Sequence, residues 1–394
     1  KPMSPPSEIG IKGYRIIRYQ SKQTMNLFVQ PVETRPEVCP CCGGDHLHSK
    51  GRYQRKARHL ETFGRYSKLI VECRRFLCLN CNKSFVQPLP GILPGRHSTE
   101  PFRERIYRDH HDGICGKRLA TITQLGSATV ERIYQQFTKR KAKERLSRQC
   151  PEVLGIDEHT LHKGCRFATT FCDLKRHRVF DIAEGKSATD LQSFLKSLRG
   201  RHKVRVVCID MSASYRSLIQ RYFPNARIVA DRFHVIRLTQ HHFMDLCRQI
   251  APCIKQRRGY LAALRKHPER LTPNQQERLH ELFSNHPALR PIYDQMQRVC
   301  SLMRMRHQKA WQCRALAPRF ITIIQQLANS GFAPLITLAN TLRSWQEEIA
   351  CMWRFTKNNG ITEGFHRKMK LIQRRAYGFR NFNNYRLRVI AQCG

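Results

Sequence analysis

Three carboxylates mark the polar ends of apolar or basic runs in a chain that has few acids, and this pattern constrains the fold more than any other feature. Asp157 closes VLGID, Asp210 closes VRVVCID, and Glu363 opens the basic stretch ITEGFHRKMK. The 394 residues include 71 Lys plus Arg against 29 Asp plus Glu, a formal net charge of +42. Acids at the ends of buried strands in so basic a chain need a specific reason. Ionised carboxylates brought together repel one another unless a cation neutralises them. Two Mg2+ ions (or Mn2+) roughly 4 Å apart would do so, and would clamp both oxygens of a phosphodiester in displacement. The pattern predicts an α/β core with phosphoryl-transfer chemistry on a nucleic acid.

The charge points the same way. A self-repelling chain of this kind favours a polyanion, and counterion release from duplex DNA would drive binding that weakens steeply with salt. Ribosomal and membrane-surface proteins are also basic, so charge alone gives only the class of partner. With 41% hydrophobic residues, the chain can hold two or three folded domains. It has no run of about 18 apolar residues and no apolar signal core near its start, so a cytoplasmic, nucleoid-associated protein without a membrane partner is expected. Seventeen cysteines are scattered through ordinary-looking elements and are dense only between residues 39 and 81. Reduced thiols and one metal site fit this better than disulfides.

After a Pro-rich opening, YRIIRYQ and TMNLFVQPV read as short strands. Cys39-Pro-Cys41-Cys42 follows, and after thirty-five intervening residues comes Cys78-Leu-Asn-Cys81. Two C-x-x-C knuckles at turns supply four thiolates for one structural Zn2+, with Cys39, Cys42, Cys78 and Cys81 as ligands. Cys41 makes the first knuckle ambiguous, and Cys39 with Cys42 reproduces the spacing of the second. The strand-rich segment between them suits a zinc ribbon, giving an N-terminal domain over residues 1–90.

The Pro-rich PLPGILPGRHSTEP reads as a linker. KRLATITQLGSATVERIYQQF then reads as a helix-turn-helix within residues 91–150, with Gly126 at the turn, Ser127 as N-cap and Val130, Ile133, Tyr134 and Phe137 as a buried stripe. Its exposed face would offer Thr129, Arg132 and Gln136 to DNA. An ordinary core αα-hairpin gives the same pattern.

From residue 151 the pattern turns mixed. VLGID, RFATTFCDL, HRVFDIAEG, VRVVCID and ARIVADRF read as strands, with TDLQSFLKSLRG and SYRSLIQRYF as helices between the later ones. This order is that of a ribonuclease-H-like mixed sheet. Residues 240–350 carry only helical stripes, Leu289 to Met303 and Leu335 to Met352, and read as an all-helical insertion in a 151–394 catalytic domain. In the last helix Glu363, Arg367, Lys370 and Arg374 share one face, and Phe365, Met369, Ile372 and Ala376 the opposite one. The acid can thus face the sheet while the cations track a phosphate backbone. An i,i+4 Glu363–Arg367 pair at a helix N-terminus is the bland alternative.

These pieces together resemble the DDE-class transposases of bacterial insertion sequences, most closely the ISL three family. The resemblance rests on the zinc ribbon, the helix-turn-helix, GIDEH, CIDMSASYR, VADRFHV and TEGFHRKMKLIQRRAYGFRNFNNYRLR, and covers nearly the whole chain. It implies a catalytic triad of Asp157, Asp210 and Glu363, with the helical insertion between the second and third acids. It also places Asp231 and His234 near the pocket, as supporting or DNA-positioning groups. The implied reaction is metal-dependent cleavage at the element ends followed by strand transfer into target DNA, without a covalent protein intermediate. Synapsis of two ends implies at least a homodimer. Tyr377, Phe379, Phe382 and Tyr385 interleave with Arg374, Arg375, Arg380, Arg386 and Arg388, which suits stacking and phosphate contact. Glu158, Asp173 and Asp181 remain as other acids near strand ends. The rival reading is a zinc-ribbon, helix-turn-helix regulator with a catalytically silent core, which leaves the three acids unexplained.

Overall fold

The computed structural model describes residues 9–146, 149–162, 166–306, 309–355 and 360–394. They form two compact units, Lys1–Arg140 and Lys141–Gly394.

In the first unit, β1 (Tyr14–Ser21), β2 (Met25–Pro31), β3 (Leu47–Thr62), β4 (Arg65–Cys78) and β5 (Ser84–Val86) make one sheet of order β1-β2-β4-β3, with β5 on β4. Strands β3 and β4 form a long hairpin closed at Phe63-Gly64, where both residues have positive φ. That conformation matches the twist of a two-residue hairpin turn. Three helices follow: α1 (Glu100–Asp112), α2 (Gly116–Thr123) and α3 (Ser127–Arg145). Phe102, Ile106, Tyr107, Leu119, Val130, Ile133, Tyr134 and Phe137 make their shared core, and the Val130 to Phe137 part is the stripe expected from the sequence. Arg58 of β3 donates to the carbonyls of Thr123 (2.5 Å) and Gln124 (2.9 Å), satisfying the C-terminal end of α2.

In the second unit, β6 (Val153–His162), β7 (Arg166–Asp173), β8 (Arg178–Glu184), β9 (Val206–Ile209) and β10 (Arg227–Ala230) form a sheet of order β10-β9-β6-β7-β8. Strands β10, β9 and β6 are parallel, and β7 and β8 are antiparallel, so the sheet is mixed. The crossover helices α4 (Ala188–Ser197) and α5 (Ala213–Tyr222) lie among the later strands. After β10 the chain is helical: α6 (Arg232–Ile250), α7 (Arg258–Arg265), α8 (Pro273–Asn285), α9 (Leu289–Arg304), α10 (Ala310–Ala328), α11 (Ala333–Ser344) and α12 (Gln346–Arg354), then α13 (Gly360–Arg375) and α14 (Phe382–Cys393).

Side chains alternate across the strands, so the sheet has two buried faces. Leu154, Ile156, Phe171, Val207 and Ile209 pack with α4 to α6 and run on into the helical region through Met296, Leu342 and Trp353. Ala168, Cys172, Ile182 and Cys208 pack on the other face with Met369 and Ile372 of α13 and Tyr385, Val389 and Ile390 of α14. The architecture is mixed α/β with helices on both sides.

Three boundaries differ from expectation. Strand β6 continues to His162, because His159 is buried and paired to Thr170 Oγ1 (3.0 Å) and Tyr385 Oη (2.8 Å) rather than left in solvent. Asp157 therefore sits inside a strand. The helical excursion starts at Arg232, directly after β10, with Asp231 as the N-cap accepting from Phe233 N (3.3 Å). The stripe from Leu335 to Met352 is two helices, broken at Trp345.

Candidate functional site

The parallel register brings two of the expected acids side by side. Gly155 pairs with Cys208 between β6 and β9, so two residues on, Asp157 lies opposite Asp210. Ala230 pairs with Ile209 between β10 and β9, which puts Asp231 next to Asp210 in the same row; Asp231 N donates to Ile209 O at 2.7 Å. Three aspartates thus occupy one register level at the carboxyl side of three parallel strands, where open α/β sheets place their ligands.

Their electrostatics are those of crowded anions. Burial, reinforced by Asp210 and Asp231 and opposed by His234 and the Glu158 N–H, pushes Asp157 up to about 6. Burial also raises Asp210, again against the pull of His234 and with Glu158 and Asp231 adding to the rise. Asp210 Oδ1 is buried and accepts no hydrogen bond. Asp231 is buried and holds His234 Nδ1 through Oδ2 at 2.8 Å; that bond raises the imidazole's pKa against the effect of desolvation. A buried carboxylate oxygen without a donor beside raised acids suits a divalent cation, which would satisfy the oxygen and relieve the repulsion.

Glu363 is placed differently. It lies in the first turn of α13, half exposed, with Oε1 3.4 Å from Arg367. Its helix is anchored on the same sheet face as Asp157: Thr362 is buried and bonded to Cys172, and His366 lies with Nε2 3.1 Å from Thr170 Oγ1 and Nδ1 3.7 Å from Asp157 Oδ2. His366 is a neighbour of the acids that sequence reading missed. Its signal was the three-residue spacing from Glu363, which puts both on one side of a helix.

The zinc ligands converge. Cys39, Cys42, Cys78 and Cys81 have their sulfurs within 4.8 Å of one another, with Cys39–Cys81 at 3.8 Å and Cys42–Cys78 at 3.6 Å. Tetrahedral Zn–S bonds of about 2.3 Å require sulfurs about 3.8 Å apart. Cys41 Sγ is not in this group; its backbone N–H donates to Cys39 Sγ at 3.4 Å, and Gly44 N–H donates to Cys42 Sγ at 3.5 Å. All described cysteines are free thiols.

The DNA candidates divide. Arg132 is exposed and donates to Thr129 Oγ1 (3.1 Å), whereas the Gln136 carbonyl is turned to the buried Arg103. On α13 and just beyond it, Arg367, Lys370, Arg374, Arg375 and Arg380 are exposed, and Tyr377 is 93% exposed with φ of +52°. Tyr385 is core, with Phe379 and Phe382 half-buried around it. Arg386 is engaged within the protein, in a two-pronged ion pair with buried Asp181 at 2.6 Å for each contact.

A family model described as transposase, that of the DDE enzymes of the ISL3 group, matches residues 154–389. The zinc finger of the transposases of IS204, IS1001, IS1096 and IS1165 matches residues 35–81, which include all four clustered cysteines. The chain belongs to the ISL3 family of transposases. The transposase for insertion sequence element IS1001 of Bordetella parapertussis is 27% identical over 404 residues, covering 97% of this chain and 96% of that protein. Among the described residues, no helix is long and apolar enough to cross a membrane.

Proposed function

We propose that the protein binds the ends of its insertion sequence and cuts and joins DNA at a carboxylate centre built on Asp157, Asp210 and Glu363. The observation that carries this is the in-register pair Asp157 and Asp210, with one buried oxygen lacking a donor. Mg2+ or Mn2+ held by these carboxylates would supply an activated water and Lewis-acid stabilisation of the phosphodiester. The fold reads as ribonuclease-H-like, with α13 delivering Glu363 to the sheet. Arg367, Lys370, Arg374, Arg375 and Arg380 would track the backbone, and Tyr377 would stack on an unpaired base. Within residues 91–150, α2 and α3 would act as the helix-turn-helix that reads the end, through Thr129 and Arg132. The Zn2+ ribbon would brace residues 1–90, and pairing of two ends calls for at least a homodimer.

Asp231 is a specific rival for the third acid, because it adjoins Asp210 in register and Glu363 faces Arg367. Duplex carrying a flanked element end, incubated with Mg2+ or Mn2+, tests both readings. Asp157→Asn, Asp210→Asn and Glu363→Gln are expected to lower nicking and joining by orders of magnitude while DNA affinity holds or rises, since each removes a negative charge facing phosphate. Near wild-type joining by Glu363→Gln together with none by Asp231→Asn would transfer the third role to Asp231.

A further inference from the structure

A cavity of about 800 Å3 opens at the other end of the same sheet, around the amino ends of β6 and β9 and the β7–β8 turn. Its wall carries five cations, Lys175, Arg176, Arg178, Lys203 and Arg205, against two acids, Glu152 and Asp173. Both acids are already engaged. Asp173 is buried, accepts from the backbone N–H groups of Lys175 (3.2 Å) and Arg176 (3.1 Å), and lies 3.6 Å from the guanidinium groups of Arg176 and Arg178. Glu152 pairs with Lys175 at 3.3 Å. Lys203 and Arg205 are exposed and have no carboxylate partner among the described residues, whereas the buried Arg178 Nε has its 3.6 Å ion pair to Asp173.

Net positive charge gathered in a concavity attracts an anion, and unpaired cations there repel one another until one binds. The cations come from separate segments, the β7–β8 turn and the approach to β9. Cations supplied by separate segments suit a chain of phosphates better than a single small anion. The cavity also lies at the opposite ends of the strands from the aspartate row. From Val153 to Asp157, β6 alone separates the two by about 13 Å at ~3.3 Å per residue.

We propose that this cleft is a second DNA site, holding the backbone of a duplex segment other than the one being cut. The inference rests on the chain being a transposase, and not on which acids are catalytic.

The test is binding alone, with the full zinc-loaded chain. The slope of log affinity against log salt is measured for a labelled duplex with wild type, Lys203→Ala/Arg205→Ala, and an exposed pair elsewhere, Arg314→Ala/Arg319→Ala on α10. Two lost phosphate contacts should flatten the slope by about 1.8, with less than half that change in the comparison pair. Capture of a second duplex by the complex already holding an element end should fall at least tenfold. Melting curves of the variants check folding, and Arg205→Gln serves as a milder substitution. A slope matching wild type, or a change equal to that of the comparison pair, would overturn the proposal. So would binding of inorganic phosphate that depends on Lys203 and Arg205 without any change in duplex affinity, which would make this a small-anion pocket. Failure of wild type to nick DNA would count against the carboxylate centre and leave this reading decided by binding.

Discussion

Asp157→Asn should stabilise the protein in the absence of divalent metal. Asp157 has its pKa raised from an ordinary 3.8 to about 6, chiefly by burial. A raised carboxylate reverses the usual sign of pH linkage. Between 3.8 and 6 the folded state holds a proton that the unfolded state has lost, so this group's contribution falls as pH rises through that window. Above 6 both states are ionised and the folded state bears the full penalty, about 3 kcal/mol at 1.36 kcal/mol per pH unit. The side chain keeps 15% exposure, so solvent screening reduces this to ~2 kcal/mol. Asparagine keeps the oxygen that accepts the Glu158 N–H at 2.9 Å and removes the charge. At pH 7.5 without Mg2+, the variant should melt about 4–8 °C above wild type, given ~2–4 °C per kcal/mol for a unit of this size. At pH 4 most of the difference should vanish. Adding Mg2+ should raise the melting temperature of wild type more than that of the variant, because the ion then offsets the repulsion. The buffer must be freed of magnesium without a strong chelator that would also strip the ribbon. A variant less stable than wild type at pH 7.5, or an equal Mg2+ response in both, would refute the reasoning.

Cys78→Ser should release the bound zinc and unfold the knuckle region, because three thiolates and a hydroxyl hold the ion poorly; metal analysis with circular dichroism checks it, and unchanged zinc content would disprove the ligand set. Arg386→Met should cost about 3–5 kcal/mol in urea unfolding by leaving Asp181 charged and buried, and Arg386→Met/Asp181→Leu should recover most of that loss. If the single and double variants are equally destabilised, Arg386 contributes through packing instead.

The sequence made the strands of the second unit readable because each carries a short apolar, β-branched run, and it placed Asp210 at the end of one, whereas Asp157, also read as a strand end, lies inside β6. It could not give register. Only pairing shows that Asp231 continues the row from Asp210, whereas the Glu363–Arg367 pair was already offered by the i,i+4 helix spacing. The alternating aromatic and basic residues near the C-terminus resembled a DNA face, yet on α14 Tyr385 and Val389 lie one turn apart on a buried side. The partner of Arg386 is 205 residues away, beyond any local pattern. Strand β3 was hidden in another way: LHSKGRYQRKARHLET buries few apolar side chains, so its hydrophobic alternation is faint. The four cysteines were legible because metal geometry demands a spacing that packing does not.

Arg232 follows Asp231 directly and is itself buried. Its guanidinium donates to the carbonyl of Met303 at 3.0 Å, where α9 ends, to Met305 at 3.2 Å, and to Met352 in the last turn of α12 at 2.7 Å. Arg232 and Met352 are 120 residues apart. Closing so long an excursion costs on the order of 4 kcal/mol in chain entropy, by the logarithmic dependence on loop length. One side chain thus acts as a removable clasp on the whole helical excursion, fastened at the residue adjoining the acid row. A load placed on those helices can reach the acid row through this clasp as well as through the shared apolar core and the Arg216–Glu348 ion pair, so the packing of the helices and the alignment of the carboxylates are coupled.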